Sequence, residues 1–304
     1  MPELPDVTVY LEALDRKVVG RALVRIRVLT PFVLRSFDPP VEAVAGKVVR
    51  GTRRIGKRLV LEMAVTPAPD NGIRGQAPAG VFIVIHLMIA GRLVWKPAAA
   101  KTTKNAIAAF DFEHGTLFFT EAGTRKRASL TLVRGEDALE ALDPGGIEPL
   151  DATFEQFKEA LVRENHTVKR SLTDPRLFSG IGNAYSDEIL HAAQLSPLKT
   201  TKTLTDDEIK RLREATRVTL KSWTDILRAE TGEGFPEKVT AFREGMAVHG
   251  RYKQPCPVCG TPVQRIVYAE NECNYCARCQ TGGKLLADRS LSRLLKDDWP
   301  KTIE

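Results

Sequence analysis

The chain has 304 residues, 43% of them hydrophobic and 27% charged, with a formal net charge of +7. That length suits about two domains of roughly 150 residues, and the excess of cations suits a polyanionic partner such as nucleic acid. No apolar run approaches the roughly 20 residues needed to span a bilayer, and the N-terminus lacks the apolar core of a secretion signal, so a cytoplasmic protein with no membrane role is expected.

In chain order, the spacing of Val7, Tyr10, Leu11, Leu14 and Val18 predicts a helix with one buried face from Leu4 to Val19. From Leu23 the pattern changes to short β-rich runs, among them 24–29, 58–63, 81–88, 92–94, 108–113 and 116–120. Gly, Pro and Asn separate them, as in a sandwich of antiparallel strands. Residues 66–80 read as a surface loop, and LDPGGIEPL at 142–150 as a linker. Helical periodicity returns at 154–164, 167–172, 183–193 and 206–230. The expected fold is α+β, with a sandwich domain at 1–142, a helical domain at 143–245, a cysteine-bearing module at 246–288 and a charged tail at 289–304.

Three segments carry chemistry. The chain opens Met1-Pro2-Glu3-Leu4-Pro5-Asp6, and removal of Met1 leaves Pro2 with a free secondary amine. An α-amino group titrates at roughly 7.7 to 8.0, so a useful neutral fraction exists near pH 7, whereas a lysine near 10.4 has almost none. Such an amine can attack a sugar C1′, and the resulting iminium acidifies the C2′ proton, so that elimination follows. Glu3, next to it, is placed for proton transfer. By itself this segment also reads as a stiff leader before a helix.

The second is Gly180-Ile181-Gly182-Asn183, which precedes an amphipathic helix that Asn183 can cap. Glycines there let backbone N–H groups approach a phosphate; the same string also suits a plain turn between packed helices. The third holds all five cysteines. Cys256-x2-Cys259 and Cys276-x2-Cys279, sixteen residues apart, have the spacing of a closed tetrahedral zinc site with a structural role. Cys273 forms a second C-x2-C pair with Cys276 and competes for a place among the ligands.

These segments together resemble the formamidopyrimidine-DNA glycosylase and endonuclease VIII family, bifunctional DNA glycosylases with an abasic-site lyase activity. The opening MPELPDV is similar to that family's MPELPEV leader, with Asp6 in place of glutamate, and His166–Leu190 resembles its helix-two-turns-helix element, with Pro175 where glutamine is commoner. The resemblance implies a sandwich domain headed by a helix, a helix-two-turns-helix domain and a C-terminal finger holding one structural Zn²⁺ on Cys256, Cys259, Cys276 and Cys279. It implies a catalytic set of Pro2 as nucleophile, Glu3 as acid/base and Lys57 at a phosphate, with Lys169 and Asn183 as further phosphate contacts. His86, Met88 and Ile89 fall in an H-x4-G segment that enters the space left by an extruded nucleotide, and Arg125 lies on the partner loop.

The chain departs from the pattern at two places. Asn271 replaces an arginine of the finger, and Thr124-Arg125-Lys126-Arg127-Ala128 lacks the phenylalanine of the partner loop. The implied function is repair of double-stranded damaged DNA by a nucleoid-associated monomer. Oxidised purines of the 8-oxoguanine and formamidopyrimidine type come first and oxidised pyrimidines second. A noncatalytic lesion- or DNA-structure-binding protein of the same fold is the alternative, and a zinc-ribbon protein-interaction module a third.

Overall fold

The computed structural model describes residues 1–64, 80–268, 271–288, 294 and 301–303, and the backbone alone of Asn271. The expected loop at 66–80 lies outside the described residues except for Gly80, and so does most of the tail. The chain divides into two units, Met1–Pro144 with Thr224–Val239, and Gly145–Trp223 with Thr240–Glu304.

The first unit begins with α1 (Leu4–Val18), followed by β1 (Leu23–Val28), β2 (Val49–Ile55), β3 (Arg58–Met63), β4 (Val81–His86), β5 (Gly91–Pro97), β6 (Ala106–Phe112), β7 (Gly115–Glu121), β8 (Ser129–Arg134) and the short α2 (Glu136–Glu140). The strands form two four-stranded sheets, ordered β1-β6-β7-β5 and β2-β3-β4-β8, with every neighbouring pair antiparallel. Alternation along each strand decides which side chains meet. Leu59, Leu61, Ile83, Ile85, Leu130 and Leu132 of one sheet join Leu23, Phe110, Leu117 and Phe119 of the other, with Tyr10 and Leu14 of α1, in one buried core. The intervening Val60, Phe82 and Val84 face the other way and are covered by Leu139 of α2. Each fully buried Leu, Ile or Phe contributes about 1.5–3 kcal/mol, so this core is the main stabilising term of the unit.

The second unit contains α3 (Phe154–Val162), α4 (Val168–Thr173), α5 (Asn183–Ala192), the part of α6 (Asp206–Thr231) up to Trp223, the hairpin β9 (Gln264–Tyr268) and β10 (Asn271–Tyr275), and α7 (Ala277–Thr281). Thr153 caps α3 by accepting from the Gln156 N–H, and Gln156 returns the bond to the Thr153 N–H. Gly146 of the expected linker has a packing reason. A Cβ on Gly146 would stand 2.4 Å from the Pro175 carbonyl oxygen, and Ile147 exchanges main-chain bonds with Leu177 and Ser179. The linker is therefore built into the helix-two-turns-helix element. No helix among the described residues is long and apolar enough to cross a membrane.

Candidate functional site

In the first unit, Glu3 is the N-cap of α1 and Pro5 lies in its first turn, where proline's missing N–H costs no helix bond. The Glu3 N–H donates to Asp6 Oδ2 at 2.9 Å. Asp6 is the third helical residue, and its short carboxylate reaches back over that turn, which gives aspartate a local reason at this position. Pro2 and both carboxylates are buried, Glu3 being 2% exposed. With Met1 attached, the Pro2 nitrogen is a peptide nitrogen; the free amine belongs to the chain that begins at Pro2.

Lys57 occupies the two-residue turn between β2 and β3, where Ile55 pairs with Arg58. Gly56 precedes it with φ +58°, the left-handed conformation that such hairpins require at their first central residue. Burial lowers the Lys57 pKa, opposed by the charge of Glu3. The terminal amine of Met1 is likewise lowered, first by burial and then by Arg92 and Lys57, against Glu3 and Asp6. Two carboxylates, Glu3 and Asp6, and two cations, Arg92 and Lys57, therefore surround the start of the chain. His86, at the end of β4, pairs with Arg58 on one side and Ser129 on the other. Burial, with Arg58 and Lys57 nearby, lowers its pKa to about 4, so its imidazole is neutral at pH 7.

The strand expected to run to Met88 stops at His86, because residues 87–91 form a tight turn in which the Gly91 N–H donates to the Leu87 carbonyl at 2.8 Å. A Cβ on Gly91 would lie 2.2 Å from that oxygen, so the glycine of the H-x4-G segment is a steric requirement. Met88 adopts φ 51° and Ile89 is 53% exposed at the tip. Arg92 clamps this turn, donating to the carbonyls of Ile89 (3.1 Å), Gly91 (2.6 Å) and Val239 (2.5 Å). Arg125 is exposed on the loop between β7 and β8. That loop adjoins the turn, since Gly91 pairs with Glu121 and a Cβ on Gly123 would touch the Ala90 Cβ at 3.2 Å.

In the second unit, Lys169 is 6% exposed, and its ammonium donates to the Asn183 carbonyl (3.1 Å), Ser186 Oγ (2.9 Å) and Asp187 Oδ1 (2.6 Å). All three donors are used within the protein. Although burial disfavours the charge, Asp187 more than compensates and the Lys169 pKa is raised. The N-cap of α5 is Gly182, not Asn183. The Asn183 amide instead donates to the Glu272 carbonyl of β10 at 2.9 Å, so its side chain is spent on the finger.

Sequence reasoning passed over the polar residues behind this turn. Asp187, fully buried, also accepts from His249 Nδ1 (2.8 Å) and the Asn274 N–H (3.1 Å). Glu188 accepts from the N–H groups of Ala247, Val248 and His249. The signal was present: Ser186, Asp187, Glu188 and His191 leave α5 too few apolar positions for a simple amphipathic helix, so its buried face had to be polar and bonded.

The sulfurs of Cys256, Cys259, Cys276 and Cys279 lie within 4.8 Å of one another, with Cys259 to Cys276 at 3.4 Å and Cys256 to Cys279 at 4.0 Å. Four Zn–S bonds of about 2.3 Å in a tetrahedron require sulfurs about 3.8 Å apart, so the cluster fits that metal. His191 places a ring nitrogen 3.3 Å from Cys256 Sγ, as an outer partner that steadies a thiolate ligand. Cys273 is excluded from the cluster. It faces the Asp187 network, where burial and the neighbouring carboxylate push its thiol pKa well up.

The chain thus combines a helix-headed sandwich, a helical domain and a four-cysteine finger. Family models for the formamidopyrimidine-DNA glycosylase N-terminal domain, its H2TH domain, and the zinc finger found in FPG and IleRS match residues 1–128, 146–227 and 253–282. A formamidopyrimidine-DNA glycosylase of Desulforamulus reducens is 30% identical over 293 residues, covering 92% of this chain and 99% of that one. An uncharacterized formamidopyrimidine-DNA glycosylase-like protein of Mycobacterium tuberculosis is 41% identical over 151 residues, 50% of this chain and 94% of its own. The Lactococcus lactis enzyme bound to FAPY-dG-containing DNA has the same fold, with a TM-score of 0.77 at 24% identity over 92% of this chain and 100% of that one. The chain belongs to the formamidopyrimidine-DNA glycosylase family.

Proposed function

We propose that the chain, once Met1 is removed, excises oxidised bases from duplex DNA and then nicks the strand. Oxidised purines of the 8-oxoguanine and formamidopyrimidine type are the preferred substrates, ahead of oxidised pyrimidines. The observation that carries this reading is the buried Glu3 carboxylate directly beside Pro2, with Lys57 close enough for its charge to be felt. The Pro2 nitrogen bonds to C1′ as the base departs with a proton, and Glu3 protonates the opening sugar oxygen. Loss of the C2′ proton from the iminium expels the 3′-phosphate, and a second elimination expels the 5′-phosphate; water then frees Pro2.

Lys57, the turn at 180–183 with Asn183, and Lys169 behind it hold the phosphate backbone, Lys169 by fixing the Asn183 carbonyl. Met88 and Ile89 fill the space left by the extruded nucleotide, His86 stands at its phosphate, and Arg125 meets the opposite strand. One Zn²⁺ on the four cysteines supplies structure and no open coordination position for chemistry. The protein acts as a monomer at the nucleoid.

The alternative is a binding protein without turnover, favoured by the loss of phenylalanine from 124–128. Borohydride trapping separates the two. The processed protein is expected to form a covalent adduct with abasic-site duplex, and Pro2→Gly to bind that duplex with comparable affinity. If the processed protein forms no adduct and Pro2→Gly binds equally well, the catalytic reading fails.

A further inference from the structure

We infer that Glu121 is a positioning residue that clamps the basic loop between β7 and β8 beside the Leu87–Gly91 turn, so that Arg125, Lys126 and Arg127 face the strand opposite the one being processed. The inference rests on the glycosylase reading above for the identity of the bound polyanion. Its structural basis is independent of that reading.

Glu121 is the last residue of β7 and is 1% exposed. A carboxylate so buried is costly unless its oxygens are bonded. Here Oε1 accepts from the N–H of Arg127 at 2.9 Å and of Ala128 at 3.1 Å. The Lys126 ammonium returns to the Glu121 carbonyl, and the Glu121 N–H donates to the Asn105 carbonyl at 3.0 Å. One residue thus gathers both ends of the loop at a point where β7 pairs with Gly91. The loop cannot swing away without breaking two charge-assisted bonds inside the protein. A Cβ on Gly123 would stand 3.2 Å from the Ala90 Cβ, so the loop lies against the turn where only glycine leaves the space free. The result is a fixed pair of projections, an exposed Ile89 on one and the cations 125–127 on the other. An apolar wedge beside a cationic ridge suits a duplex with one base displaced: the wedge enters the stack and the ridge meets phosphates.

Glu121 Oε2 has no hydrogen-bond partner among the described residues. The clamp therefore uses one acceptor oxygen, and glutamine supplies an equivalent one. This separates an acceptor role from a role of the negative charge. The experiment uses the processed full-length protein and duplexes carrying a tetrahydrofuran abasic analogue, with 2-aminopurine in the opposite strand reporting loss of stacking. A second arm traps the protein on natural abasic sites in duplex and in single-stranded DNA.

Glu121→Ala is expected to reduce the 2-aminopurine response at least threefold and duplex kcat at least tenfold. KM should stay within threefold, and single-strand trapping should be unchanged. Glu121→Gln is expected to behave as wild type. An unchanged fluorescence response in Glu121→Ala overturns the inference, as does a loss of equal size on single strands, or a Glu121→Gln defect as large as that of alanine. The fluorescence arm requires no turnover. A wild type that unstacks the reporter but is never trapped refutes the catalytic reading and leaves the Glu121 result to stand or fall separately.

Discussion

Replacing Asp187 with alanine removes the carboxylate that directly bonds the Lys169 ammonium, at 2.6 Å, where both side chains are almost wholly buried. Breaking a buried pair by deleting one partner costs about 3–5 kcal/mol, because the other charge stays behind uncompensated. Asp187 also serves His249 and the Asn274 N–H, each bond worth about 1 kcal/mol, so a total loss of about 5–7 kcal/mol is expected. Lys169→Met leaves Asp187 with two of its donors and should cost about 3 kcal/mol. In the double variant Lys169→Met/Asp187→Leu neither charge is stranded, so its cost should fall short of the sum of the single changes by at least about 2 kcal/mol. Urea unfolding at pH 7 with saturating zinc, followed by circular dichroism and tryptophan fluorescence, measures all three. Costs that add to within about 0.5 kcal/mol would refute the network as a coupled unit. Lys169→Met should also leave the salt dependence of DNA affinity almost unchanged, whereas loss of a direct phosphate contact lowers the slope by about one.

Because the His86 pKa is depressed, the unfolded chain takes up its proton first as pH falls. The stability contribution is intact above the ordinary value near 6.5 and is lost as pH approaches about 4. Between pH 7 and 4.5 this amounts to about 2–3 kcal/mol, to be read from urea titrations against His86→Gln, in which that increment disappears. Gly91→Ala must displace the Leu87 carbonyl, and thermal unfolding should show a loss on the order of 2 kcal/mol. Metal analysis should return one zinc per chain for the wild type and for Cys273→Ser, but less than one for Cys256→Ser; a Cys273→Ser protein without zinc would overturn the ligand assignment.

The elements most legible in the sequence were those whose residues act locally. The apolar spacing of α1 and the two C-x2-C pairs are periodic or covalently constrained, and each lies where its pattern places it. The strand β2 is missing from the β-rich runs read in the sequence because Arg53 and Arg54 break its apolar alternation. In the fold Arg53 pairs with Glu62 and Glu136 and lies over the Phe82 ring, all of them partners from other elements. The end of β4 was misplaced for the opposite reason, since Leu87 and Met88 are apolar enough to continue a strand and only the close approach at Gly91 reveals the turn. Asn183 has the chemistry of a helix cap, but a carbonyl 89 residues away takes its amide. Propensity describes what a residue can do; the nearest unsatisfied group in three dimensions decides what it does.

The polar face of α5 bears on how such a chain can be recombined. Asp187 and Glu188 take backbone N–H groups from 247–249 and 274, and Asn183 returns a bond to 272. Grafting in a foreign finger that kept only its four cysteines would bring the metal but leave these carboxylates facing unmatched backbone. The heritable unit is therefore the metal knuckles together with the helix they lean on, and a functional transplant of one should require the other.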